Sequence, residues 1–157
     1  MPLPPPGPRQ PSPPDPPRAD AGGAGTVLVV EDDRDLSEGI QEVLQREGYR
    51  VLVAANGIQG REAVYRDRPD LVILDMMMPR MGGFPVLEHF RDRKDAPPII
   101  MITANEGSRH KAYAEMLGVI AYLRKPFAME TLLAAVANGL AARGGGRPDD
   151  PGPRPSP

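Results

Sequence analysis

Five short apolar runs recur along the chain, each followed by a stretch whose apolar positions return every three or four residues. Thr26–Val30, Val51–Val53, Leu71–Leu74, Ile99–Ile102 and Val119–Leu123 are rich in β-branched residues and too short for helices, so they predict strands. The intervening spacing predicts helices over about 35–47, 57–68, 84–91, 107–117 and 129–142. In the first, Leu36, Ile40, Val43 and Leu44 form one stripe and Gly48 supplies the stop. In the last, Leu132, Leu133, Val136 and Leu140 are the apolar positions. Pro85 falls in the first turn of its helix, where a missing N–H costs nothing, and Asp95-Ala96-Pro97-Pro98 forces an extended approach to the fourth strand. Uninterrupted apolar runs such as Leu71-Val72-Ile73-Leu74 suit strands covered on both faces. Strands alternating with helices then imply an α/β domain with a parallel sheet and right-handed crossovers, over residues 26–142.

The flanks lack this pattern. Residues 1–25 hold ten of the 21 prolines and almost no large apolar side chains, which predicts a disordered extension with polyproline II character. Pro8-Arg9-Gln10-Pro11 has a PxxP spacing, but in so proline-rich a stretch a solvated, semi-rigid spacer is the plainer reading. Residues 143–157 are a Gly/Pro-rich tail with too little sequence for a helix-turn-helix, so the expectation is a single domain without a DNA-binding output. A net charge of −2 gives no nucleic-acid footprint. The chain has no cysteine, so disulfides and thiolate metal sites are excluded. No apolar run approaches the roughly 20 residues of a membrane span, and the N-terminus has no apolar signal region, so a soluble cytoplasmic protein is expected.

The candidate chemistry sits where the apolar runs stop. The first ends in Glu31-Asp32-Asp33, the third in Asp75 followed by Met76-Met77-Met78-Pro79, the fourth in Thr103-Ala104, and the fifth leads into Arg124-Lys125-Pro126-Phe127. In open parallel sheets ligands bind beyond the carboxyl ends of the strands. Three carboxylates crowded there repel one another unless a cation intervenes, and hard oxygen ligands suit Mg²⁺ or Mn²⁺.

Val-Val-Glu31-Asp32, Leu-Asp75-Met-Met-Met-Pro79, Thr103-Ala104 and Lys125-Pro126-Phe127, in that order, resemble the receiver (CheY-like) domain of bacterial two-component response regulators over about residues 26–142. The resemblance implies the flavodoxin-like (βα)5 doubly wound fold with strand order 2-1-3-4-5. It implies that Asp75 is the phosphoacceptor, that Asp32 and Asp75 ligate the metal directly, that Glu31 acts through water and that the Met77 carbonyl completes the protein ligands. Lys125 would pair with phosphoryl oxygens, or with Asp75 before phosphorylation, and Thr103 would donate its hydroxyl to the phosphoryl group. Tyr122, three residues before Lys125, matches the switch aromatic, and Lys125-Pro126 matches a cis peptide that aims the lysine inward. Met77 and Asn105 occupy positions that tune the lifetime of the phosphoryl group. The implied partners are a sensor histidine kinase or a histidine phosphotransfer protein upstream and an effector protein downstream, with neither nucleic acid nor membrane. The implied function is a phosphorelay switch rather than an enzyme. The alternative is a phosphorylation-independent pseudo-receiver, although such domains usually lose an acid, the threonine or the lysine.

Plain readings stand beside these. Asp75 could be a strand-end cap, yet a bare carboxylate after four buried apolar residues is costly without a role. Tyr122 could be an ordinary half-buried strand residue. Asp33 is read as a helix cap, the methionine run as packing, and His89 and His110 as surface residues with no ligand partners. The chain departs from the family where Gly118-Val119-Ile120-Ala121 replaces the usual acids before the switch aromatic. That puts the usual dimer face in doubt and makes Ile120 either an apolar docking residue for a partner or simply core.

Overall fold

The computed structural model describes residues 25–104 and 107–145, with the side chains of 143–145 left aside. The proline-rich segment 1–24, the tail from 146 onward and Asn105 therefore lie outside the described residues.

The elements alternate without exception: β1 Thr26–Val30, α1 Arg34–Arg46, β2 Arg50–Ala54, α2 Gly57–Asp67, β3 Leu71–Asp75, α3 Gly83–Phe90, β4 Ile99–Thr103, α4 Ser108–Met116, β5 Ala121–Arg124 and α5 Met129–Gly145. The strands form one parallel sheet in the order β2-β1-β3-β4-β5, the doubly wound order that the resemblance implied. Every residue of β1, β3 and β4 is buried, as central strands covered by helices on both faces require. Two cores result. One packs Val27, Val29, Ile73 and Ile100 against Ile40 and Leu44 of α1 and Leu132 and Val136 of α5. The other packs Leu28, Leu74 and Met101 against Ala63 and Val64 of α2, Leu87 and Phe90 of α3 and Ala114 of α4.

Helix ends follow local chemistry. Asp33 caps α1, its carboxylate accepting from Leu36 N at 3.2 Å, and Asn56 caps α2 by accepting from Gln59 N at 2.9 Å. α1 and α4 both close with a left-handed glycine, Gly48 at φ 94° and Gly118 at φ 101°. After α4, Gly118 N donates to Glu115 O at 3.0 Å and Val119 N donates to Ala114 O at 3.2 Å. This paired termination consumes Val119, which the apolar pattern had assigned to the fifth strand. β5 consequently starts at Ala121, two residues later than the sequence predicts. α5 runs to Gly145, three residues past the expected Ala142.

Candidate acid-lined phosphoacceptor site

Sheet register places the strand-end residues side by side. Val30 pairs with Leu74, so Glu31 and Asp32 follow β1 next to Asp75 at the end of β3. Asp75 pairs with Ile102 and Thr103 with Arg124, so Thr103 and Lys125 each stand one step further across the sheet. The carboxylates of Glu31, Asp32 and Asp75 offer oxygens that all lie within 4.8 Å of one another. Glu31 and Asp75 are buried and Asp32 is exposed, so the cluster opens to solvent on one side.

Lys125 enters this cluster from the loop after β5. Its Nζ lies 3.0 Å from Glu31 Oε1 and 3.4 Å from Asp75 Oδ1. The lysine was expected to pair with Asp75; it bridges both acids and sits nearer to Glu31. The other Glu31 oxygen accepts from Asp33 N at 3.0 Å, and Asp75 Oδ1 meets Met77 N at 3.4 Å. The Lys125-Pro126 peptide is cis, as the resemblance implied. Thr103 is fully buried at the end of β4.

One ammonium serves two buried acids, Glu31 and Asp75. Burial pushes the Glu31 carboxyl up to about 7, against the opposing pull of the Asp33 N–H and of Lys125. Asp75 is raised in the same way by burial, with the Lys125 ammonium acting against it. Burial also works against the charge on Lys125, but Glu31 and Asp75 outweigh it and raise the lysine. The three carboxylates offer an all-oxygen donor set within 4.8 Å of one another, open to solvent on the Asp32 side, which fits a hard divalent cation such as Mg²⁺ or Mn²⁺.

The loop around Asp75 is built on close backbone approach. Gly83 N donates to Met76 O at 2.9 Å, and a Cβ at Gly83 would stand 2.6 Å from the Asp75 carbonyl oxygen. The closeness of Gly83 to the acid is a matter of backbone packing that the sequence does not display. Of the three methionines, Met76 is buried and Met78 packs on the core, whereas Met77 is 60% exposed. The packing role expected of the run fails for Met77, because it faces out of the loop beside Asp75.

Tyr122 is partly buried against the core cluster, and its hydroxyl is buried without a well-formed hydrogen bond, next to the Thr103 side chain. Ile120 is 46% exposed, which removes the reading of it as simply core. His89 and His110 belong to helix-surface aromatic pairs, His89 Nε2 lying 2.7 Å from Tyr65 Oη and His110 stacking on Phe84 at 5.9 Å. Beside the acids, a largely apolar cavity of about 460 Å³ is lined by Asp33, Leu36, Ala104, Lys125, Pro126 and Phe127. Among the described residues no helix is long and apolar enough to cross a membrane.

Known proteins share this architecture. The response regulator MprA of Mycobacterium leprae (strain TN) is 40% identical over 110 residues, which is 70% of this chain and 48% of that protein. MprA of Mycobacterium ulcerans (strain Agy99) is 40% identical over 108 residues, 69% of this chain and 47% of that protein. The chain thus spans about half the length of the curated relatives it matches. Among solved structures, the chemotaxis protein CheY4 of Vibrio cholerae superposes with a TM-score of 0.68 at 32% identity, covering 73% of this chain and 98% of that one. The receiver domain of the Francisella response regulator 1452 gives a TM-score of 0.71 at 25% identity, covering 75% of this chain and 98% of that one. Residues 27–137 match the response regulator receiver domain. With fold, strand order and relatives in agreement, the chain belongs to the receiver domain family of two-component response regulators.

Proposed function

We propose that Asp75 accepts a phosphoryl group from a phosphohistidine on a sensor kinase or histidine phosphotransfer protein, and that the resulting change alters protein binding. The convergence of Glu31, Asp32 and Lys125 on the buried Asp75 carboxylate is the observation that carries this reading.

In the transfer, an Asp75 oxygen forms the new P–O bond as the P–N bond of the phosphoimidazole breaks, its electron pair returning to the imidazole nitrogen. Such transfers need positioning and charge neutralisation more than acid or base help. Asp32, Asp75 and the Met77 carbonyl are the residues suited to hold Mg²⁺ directly, with Glu31 acting through water. When bound there, Mg²⁺ would supply charge neutralisation for the phosphoryl oxygens. Lys125 already stands within reach of Asp75 Oδ1 and provides the mobile point charge for the same oxygens once they arrive. Thr103 donates its hydroxyl to the phosphoryl group. As Thr103 turns toward it, the space beside the Tyr122 ring changes, and the surface bearing Tyr122 and Ile120 is remodelled for an effector protein. The domain assists its own phosphorylation and dephosphorylation, yet works as a switch. Met77, beside Asp75 and open to solvent, is placed to govern access of water.

Intact-protein mass after incubation with acetyl phosphate tests this. A Mg²⁺-dependent gain of about 80 Da, absent in Asp75→Asn, is expected. No gain in the native chain under any condition would leave the phosphorylation-independent module as the better reading.

A further inference from the structure

α2 and α3 lead back to the starts of the next strands, so their C-terminal turns lie at the opposite end of the strands from the acid cluster. Between them runs a groove of about 140 Å³ walled by Tyr65, Arg68, Pro69, Phe90, Asp95 and Pro97. Tyr65 is 51% exposed yet fixed in place. Its ring packs at 5.6 Å on Phe90 and at 5.8 Å on the His89 ring, and its hydroxyl lies 2.7 Å from His89 Nε2. An exposed aromatic that is already immobilised loses little entropy when something covers it. An aromatic wall facing a proline, with one cation and one anion at the rim, is the surface chemistry that receives a polyproline II segment.

The chain itself carries a proline-rich sequence just before β1, and β1 starts beside this groove. Thr26 N donates to Asp70 Oδ2 at 2.8 Å, and Arg50 N donates to Gly25 O at 2.8 Å, which anchors the start of β1. Asp70 directly follows the groove residues Arg68 and Pro69, so the chain arrives at β1 beside the groove. Residues 1–24 contain ten prolines, among them Pro13-Pro14-Asp15-Pro16-Pro17, and Pro17 lies eight residues before Gly25. Eight extended residues span on the order of 25 Å. Asp15 and Arg18 offer charges complementary to Arg68 and Asp95.

We propose that this groove is the docking site of the chain's own proline-rich segment, with residues 13–17 extended against Tyr65. The proposal is independent of phosphorylation. Tethering gives an effective concentration in the millimolar range, so even a millimolar intrinsic affinity leaves about half the molecules docked.

The full chain has no cysteine, so a nitroxide on Ser12→Cys reports position without competing labels. In the ¹⁵N-labelled chain the amides of Val64, Arg68 and Ala96 are expected to lose about half their intensity relative to the reduced label. Tyr65→Ala should abolish this broadening, Tyr65→Phe should retain most of it, and replacing Pro13, Pro14, Pro16 and Pro17 by alanine should abolish it. Broadening that is absent, that spreads evenly over the surface, or that survives Tyr65→Ala would overturn the proposal. So would broadening of an unlabelled ¹⁵N copy mixed with spin-labelled chain, since the occupant would then be a second molecule. The readout needs no phosphoryl group, so it fails or succeeds separately from the receiver reading.

Discussion

An alanine at Gly83 should disturb the chain at Asp75. Gly83 opens α3, and a Cβ there would lie 2.6 Å from the Asp75 carbonyl oxygen, 2.9 Å from Met101 Cε and 3.0 Å from Met76 Cα. The methionine tip can move aside, but the two backbone atoms cannot without shifting the loop that carries the acid. Gly39 is the control. It sits inside α1, where a Cβ would meet only Met129 Cε at 3.7 Å, an ordinary contact. Glycine to alanine in a helix interior gains about 0.5–1 kcal/mol from backbone entropy, whereas forcing extra atoms into a packed site costs about 1–3 kcal/mol. The gain is smaller at Gly83 because it is the first helical residue, so overpacking wins there and propensity wins at Gly39. Gly83→Ala is therefore expected to be about 1–3 kcal/mol less stable than the native chain, and Gly39→Ala about 0.5–1 kcal/mol more stable.

Urea unfolding followed by circular dichroism separates the two, since a change of about 2 kcal/mol moves the midpoint by about 1 M at a typical slope. Gly83→Ala should also be labelled by acetyl phosphate at least about tenfold more slowly, because displacement of a reacting carboxylate by a fraction of an ångström is costly. The reasoning is refuted if Gly83→Ala matches the native chain in both measurements. It is equally refuted if Gly39→Ala is destabilised to the same extent, because the penalty would then not come from the contact with Asp75.

Asp33→Ala removes the α1 cap and should cost about 0.5–2 kcal/mol in urea unfolding, with no loss if Leu36 N finds water instead. Tyr122→Phe removes a buried hydroxyl that lacks a well-formed hydrogen bond, so stability should be unchanged or rise by up to about 1 kcal/mol; a loss above that range would reveal a bond of real strength to Thr103. In the metal-free chain the Glu31 proton is held up to about pH 7 against an ordinary value of 4.5, so between these the folded state binds more protons than the unfolded one. Stability should then fall as pH rises through that window and level off above it, and Mg²⁺ should recover it at about pH 8. Thermal melts in EDTA check this, and a slope that persists in Glu31→Gln would assign it to another group. Leu132→Ala opens the core between β1, β3, β4 and α5 and should cost about 2–5 kcal/mol, read from the same melts.

What was legible in the sequence depended on how completely burial constrains each position. β1, β3 and β4 are covered on both faces, so almost any polar substitution would be penalised and their apolar runs mark the strands nearly to the residue. β5 is an edge strand with partial burial, and there the pattern misled. Val119 and Ile120 look like strand residues in composition, but Val119 closes α4 through its bond to Ala114 O, and Ile120 keeps almost half its surface in water. Met76-Met77-Met78 failed for a related reason. Three identical residues carry no alternation from which to read direction, so the outward turn of Met77 depends on the loop that Gly82 and Gly83 close.

The site shows the same division at higher stakes. Its acids were readable because they close or follow fully buried strands, where an ionisable group has few reasons to stand, whereas Lys125 follows the half-buried β5 and was legible only as part of the set. Their mutual distances were not readable, because Glu31 and Lys125 are 94 residues apart and only the register of three strand pairs brings them to 3.0 Å. Yet that distance decides the electrostatics. With Lys125 drawn toward Glu31 and standing 3.4 Å from Asp75, the Asp75 carboxylate is only partly neutralised, and burial raises both acids. A lysine held more tightly by Asp75 would stabilise the resting carboxylate and make it a poorer nucleophile. On the proposed reading, an ammonium shared with Glu31 can turn to incoming phosphoryl oxygens while giving up only the longer, 3.4 Å contact with Asp75.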